Sequence, residues 1–141
     1  MRGCFRGSPE FRRLLDGDAS VDLPRIALEI AADFYPRLDI EDCLERIAVL
    51  SDRVRARCTT DAKPKAILGH VNWVLFIEER FHGNQDEYYD PRNSYLNEVL
   101  DRKTGIPISL SILYAAIAEP LGLRLSGVNL PAHYVLRVEG A

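Results

Sequence analysis

The chain has 141 residues, 47% hydrophobic and 28% charged, the balance of one ordinary globular domain rather than of a disordered or two-domain chain. Its 18 Lys and Arg against 21 Asp and Glu leave a formal charge of -3, which argues against a nucleic-acid binder, whose footprint is a basic excess. Three cysteines, Cys4, Cys43 and Cys58, are odd in number and far apart, which argues against a disulfide framework or a Cys-rich metal centre and fits a reducing compartment, the cytoplasm.

Residues 1–22 read as an N-terminal arm. MRGCFRGSPEFRRLL has no apolar stretch of the secretory kind, and Ser8-Pro9-Glu10 can start a short helix carrying Phe11, Leu14 and Leu15, with Gly17 as its stop. Asp22-Leu23-Pro24 opens a second helix, with Ile26, Ala27, Ile30, Ala31 and Phe34 at helical spacing and Pro36 beyond. Asp39 caps a third, whose stripe Ile40, Cys43, Leu44, Ile47, Leu50 and Val54 lies opposite a charged face. Arg53, Arg55 and Arg57 at its end either suit the helix dipole or attract an acidic partner.

A fourth helix is expected from Thr60 or Asp61 to about Phe81, apolar on more than one face, with Gly83 taking a left-handed conformation at its end. Asp90-Pro91 marks a turn, Asn93 or Ser94 can cap a short helix through Leu100, and Gly105 ends it. Pro107 opens a helix to Leu121 that is apolar nearly all round, the pattern of a rod in the middle of a domain and too short to span a membrane. Gly122 closes it. Leu123–Leu130 and Tyr134–Val138 then switch to strand patterning, and the chain ends directly after an apparent strand, which suggests a natural protein that continues.

Candidate chemistry is sparse. His70 and His82 read as boundary or helix-end residues. His133, after Pro131-Ala132 at a strand start, is either a general base or a turn histidine bonded to backbone. Ser109 and Ser111 open the apolar helix. A serine nucleophile needs an adjacent base, and the other reading of both is small residues that let helices approach. Asp86, Glu87 and Asp90 form an acidic loop that can cap nearby helices; a divalent metal site there would need more oxygen ligands than the spacing suggests. There is no P-loop, HExxH or CxxC motif.

The segment DEYYDPRNSYLNEVLDRKTGIPISL (86–110), followed by ILYAAIAEPLGL and SGVNLPAHYVLRV, resembles the SirB-type transglutaminase-like family, most closely from Tyr88 to Val138 and more loosely back to Leu23. The resemblance implies an α+β, papain/transglutaminase-like architecture over residues 23–141: N-terminal helices and a central buried helix packed on a small antiparallel sheet, incomplete at the C-terminus. In active relatives a Cys at the start of the central helix is the nucleophile and a His on the following strand the base. His133 matches the histidine. The cysteine position falls on or near Pro107, and a shift of two residues puts Ser109 there. The third member would lie beyond Ala141. The implied function is a non-catalytic, regulatory module that binds a protein or peptide, but no nucleic acid or membrane, through a degenerate cleft formed by Pro107, Asn93 and Tyr134 beside His133 and Ser109. The alternative is a hydrolase or acyl transferase using Ser109 with His133. No cofactor or metal is implied. The family is also similar to a region of certain F-box proteins and to proteins with tetratricopeptide-type repeats downstream.

Overall fold

A computed structural model describes residues 22–130 and 133–139, with the hairpin residues 124–130 and 133–139 described as backbone. The expected arm helix, Cys4 and the Pro131-Ala132 corner lie outside the described residues. Described helices are α1 (Leu23–Ala32), α2 (Ile40–Arg57), α3 (Pro64–Asn72), α4 (Leu96–Arg102) and α5 (Pro107–Ala118); the strands are β1 (His82–Gly83), β2 (Thr104–Gly105), β3 (Arg124–Leu130) and β4 (His133–Glu139).

The first two helices start where local chemistry says they should. Asp22 accepts a hydrogen bond from the Arg25 amide at 3.2 Å, and Asp39 accepts one from the Asp42 amide at 3.1 Å, so each satisfies an orphan donor of a first turn. The α2 stripe Cys43, Ile47, Leu50 and Val54 is buried. Ser51 on the same face donates to the Ile117 carbonyl at 2.9 Å and ties α2 to α5 in the core. The expected central place of α5 holds: it packs against α1, α2, α3, α4 and both hairpin strands. Leu113, Ala116, Ile117 and Ala118 are buried, while Pro107 and Ile108 stay exposed at its leading end.

The fourth helix starts later than its pattern suggested. Pro64 disfavours helical backbone at Lys63, so α3 begins at Pro64 rather than at Thr60 or Asp61. Past Asn72 it widens into a π-helical turn, Trp73–Glu78, in which the Glu79 amide donates to the Val74 carbonyl five residues back, at 3.0 Å. The extra residue keeps Val74 and Leu75 buried and leaves Trp73, Phe76 and Ile77 outside. Arg57 covers the Trp73 ring at 5.3 Å, and Phe76 stacks on Tyr114 at 6.2 Å.

The expected sheet needs correcting. The resemblance implied one small antiparallel sheet on the central helix; the described residues form two separate pairings, and β1 with β2 is parallel, His82 beside Thr104 and Gly83 beside Gly105. His82-Gly83 was read as a helix stop instead. The cause is backbone geometry: Arg80 (φ 63°) and Lys103 (φ 56°) both adopt left-handed conformations at the ends of helical segments and send the following dipeptides in the same direction. Residues 84–103, including α4, form the crossover that a parallel pair requires. The other pairing, β3 with β4, is an antiparallel hairpin running from Arg124 opposite Glu139 to Leu130 opposite His133, and it lies against α5.

These left-handed residues also reassign two glycines. The helix stops expected of Gly83 and Gly105 fall to Arg80 and Lys103. Gly105 is needed for close approach: a Cβ there would sit 2.8 Å from the Ser109 Oγ and 3.2 Å from both Leu110 and Val99 side chains. Gly105→Ala is therefore expected to destabilise the fold by about 1–3 kcal/mol through overpacking, read as a lowered urea midpoint; an unchanged midpoint would show that the helix start yields without cost.

Candidate functional site

Three of the expected cleft residues, Asn93, Pro107 and Ser109, meet where β2 delivers the chain to α5. Asn93 sits in a short 3-10 turn, Pro91–Ser94, whose entry is fixed by Asp90. The Asp90 carboxylate accepts from the Arg92 amide at 3.0 Å and from the Arg92 guanidinium at 2.6 Å. The guanidinium first and the backbone amide second hold its pKa down at about 2. The acidic loop thus does cap, although its local helix is this single turn.

With Asp90 holding the turn from outside, Asn93 points inward and is completely buried. Its Nδ2 donates to the carbonyls of Glu87 at 2.9 Å and Tyr88 at 3.0 Å, and its Oδ1 accepts from Asn84 at 3.1 Å. Asn84 in turn accepts from the Glu87 amide at 2.9 Å, and its own amide donates to the Gly105 carbonyl at 2.9 Å. One buried amide thereby shapes the 84–90 loop and, through Asn84, fastens it to β2.

The Asn93 carbonyl completes the network. It accepts the Ser109 hydroxyl at 2.6 Å. Ser109 is 3% exposed, and its Oγ also accepts from the Ile106 amide at 3.1 Å, capping the helix from inside its first turn. Both capacities of the hydroxyl are therefore used: its hydrogen points to a carbonyl, where a nucleophilic serine would present it to a base. Around this clamp the surface carries apolar groups. Ile108 is 47% exposed, Tyr88 50% and Tyr89 92%, the two tyrosine rings meeting edge-on at 5.2 Å.

His133 and Tyr134 open β4, paired through backbone with Leu130 and Asn129, and β4 lies on α5. Their side chains lie outside the described residues, so the structure brings Asn93, Pro107 and Ser109 together and gives His133 and Tyr134 strand positions only. Of the described thiols, Cys43 is buried, which pushes its pKa up and away from reactivity. Cys58 follows α2 past Arg55, whose guanidinium reaches the Pro120 carbonyl at 3.2 Å, at the opposite end of α5 from Ser109. His70 accepts from the Arg57 guanidinium at 3.3 Å, and His82 lies exposed beside the Arg80 carbonyl at 3.1 Å. Among the described residues no group of three or more His, Cys, Asp or Glu is gathered as metal ligands.

Asn84 and Gly105 are the site residues that pattern reading missed. Asn84 acts through Asn93 and Gly105, far along the chain, and Gly105 through its close approach to Val99, Ser109 and Leu110, whereas its local pattern read only as a helix stop. Ser109→Ala should strand the Asn93 carbonyl and the Ile106 amide and cost about 1–3 kcal/mol in urea unfolding; a loss within about 0.5 kcal/mol would mean that the two groups find other partners. The Asp90 pairing predicts a pH signature. A depressed folded pKa gives stability that is fully present above the unfolded value near 4 and is lost as pH falls toward about 2. Asp90→Asn is accordingly expected to unfold earlier than the parent protein at neutral pH and together with it near pH 2, by circular dichroism; an equal gap at both pH values would exclude this carboxylate.

Comparison with known proteins agrees with the segment that forms the site. A transglutaminase-like superfamily model matches residues 41–141. A UPF0162 protein of Xylella fastidiosa is 38% identical over 121 residues, covering 86% of this chain and 43% of that protein, and a UPF0162 protein of Vibrio cholerae is 38% identical over 121 residues, covering 86% and 44%. F-box only protein 21 of Homo sapiens is 48% identical over 71 residues, 50% of this chain and 11% of that protein. The chain thus spans less than half the length of these relatives. No solved structure matches it. The match runs through the crossover, the Asn93–Ser109 clamp, α5 and the hairpin, and the chain belongs to the transglutaminase-like superfamily.

Proposed function

We propose that this chain is a SirB-type member of the superfamily and serves as a non-catalytic, regulatory module, binding a protein or peptide segment at the start of α5. Pro107 and Tyr134 line the cleft above the buried Asn93, with His133 and Ser109 as remnants of the catalytic constellation. The observation that carries this reading is the Ser109 hydroxyl, which is spent on the Asn93 carbonyl at 2.6 Å and the Ile106 amide at 3.1 Å. A proline stands at the helix start where the resemblance expects a thiol. Exposed Pro107, Ile108, Tyr88 and Tyr89 at the same end of the molecule support contact with another chain, since aromatic side chains are enriched at interfaces. The free thiols of Cys43 and Cys58 support a cytoplasmic location. No helix among the described residues is long and apolar enough to cross a membrane.

Full-length protein is expected to show no turnover of p-nitrophenyl acetate or of a glutaminyl-peptide and amine pair above the His133→Ala background. Peptides selected on it from a displayed library should bind Pro107→Arg at least about tenfold more weakly. Turnover abolished by both His133→Ala and Ser109→Ala would overturn the reading in favour of a serine hydrolase or acyl transferase.

A further inference from the structure

A second concavity, of about 430 Å³, opens between the segment after α1 and the first turn of α4. Phe34, Tyr35, Pro36 and Leu38 supply its apolar wall, and Arg37 and Asn97 its polar groups. The volume falls in the ordinary range for ligand pockets.

The wall is held in place. Tyr95 lies 5.4 Å from the Phe34 ring and 5.6 Å from the Tyr35 ring, and the Tyr35 hydroxyl donates to Glu98 at 2.9 Å. Phe34 nevertheless remains 53% exposed. Asn97 is the anomaly. It is 8% exposed, and its Oδ1, shielded from solvent, has no hydrogen-bond partner. Buried amides are normally satisfied, so an orphaned one at a pocket wall marks a place where a partner is missing. As placed, the oxygen lies beneath the pocket wall; with nothing holding it, a half-turn about χ2 brings it to the pocket face, where it can accept the N–H of a peptide unit. Arg37 is exposed and makes no ion pair or hydrogen bond among the described residues.

We propose that this pocket binds the C-terminal residue of a peptide that ends in a large apolar side chain. The side chain packs on Phe34, Tyr35 and Leu38, the backbone N–H of that residue donates to the Asn97 Oδ1, and the terminal carboxylate pairs with the Arg37 guanidinium. An aromatic wall, a lone amide and a free guanidinium correspond one for one to the three groups of such a terminus, and an arginine fork suits a carboxylate. The site is separate from the α5 cleft and does not depend on that reading.

The test uses the full-length protein and fluorescein-labelled Gly-Ser-Gly-Ala-Leu-Phe, as free acid and as C-terminal amide, followed by anisotropy. The acid should bind saturably and the amide at least about tenfold more weakly. Arg37→Gln should weaken the acid to the level of the amide and erase the difference between them. Asn97→Leu should lose acid binding yet raise the thermal unfolding midpoint, because it removes an unpaired buried amide. Should Asn97→Leu fail to fold, the Arg37→Gln comparison decides alone. Equal binding of acid and amide, no saturable binding, or acid binding that persists in Arg37→Gln overturns the proposal. Binding lost in Pro107→Arg but kept in Arg37→Gln would likewise overturn it while leaving the α5 cleft reading intact.

Discussion

The architecture depends on one buried polar contact, the Ser109 hydroxyl on the Asn93 carbonyl. It joins a turn to a helix start sixteen residues later, at 2.6 Å and out of reach of water. In such a place an unmade hydrogen bond costs more than a made one contributes, so the two elements are held to each other by the penalty for separating them. The remaining bonds converge on the same pair: Asn84 and two loop carbonyls on the Asn93 side chain, the Ile106 amide on the Ser109 oxygen. The price is chemical, since a hydroxyl that serves as a strut no longer offers its proton to a base.

Around this strut the helices supply bulk and the charges supply placement. α5 touches every described helix and the hairpin, so its largely apolar sequence follows from having packed neighbours on several sides, with only Pro107 and Ile108 at its leading end exposed. On the surface, Glu79 gathers Arg53 from α2 and Lys103 from the end of α4, and these two cations hold its carboxylate below the ordinary range. Partly exposed pairs of this kind contribute little to stability, but they fix where the crossover leaves and re-enters the helical layer.

Legibility in the sequence followed the range of the interactions. Asp22 and Asp39 were readable as caps because the groups they satisfy lie three residues away. Pro107 opens the central helix by backbone preference alone; the helix ends at Ala118 rather than at the expected Leu121, because Pro120 sits in a 3-10 turn, Glu119–Leu121, that left-handed Gly122 closes, and the hairpin showed in its change of period. Non-local features were hidden. Nothing near Asn93 announces that its amide turns inward, so it read as a helix cap. Arg80 and Lys103 are poor candidates for left-handed backbone, and the parallel pairing they create joins dipeptides too short to carry a strand pattern. At the candidate site, Ser109 and Pro107 were legible as a helix start, whereas the commitment of the hydroxyl was legible only from the loop that folds over it.

The widened turn at Trp73–Glu78 is, in effect, an α-helix carrying one residue too many. Wound as an ordinary α-helix, the same six residues would swing everything downstream by about a quarter-turn or slightly more. Glu78 and Glu79 would rotate away from Arg53, and the lead-in to the parallel dipeptide pair would miss its partner. The surplus residue thus acts as a phase adjuster: it brings two stretches of chain, each following its own helical period, into step before they meet.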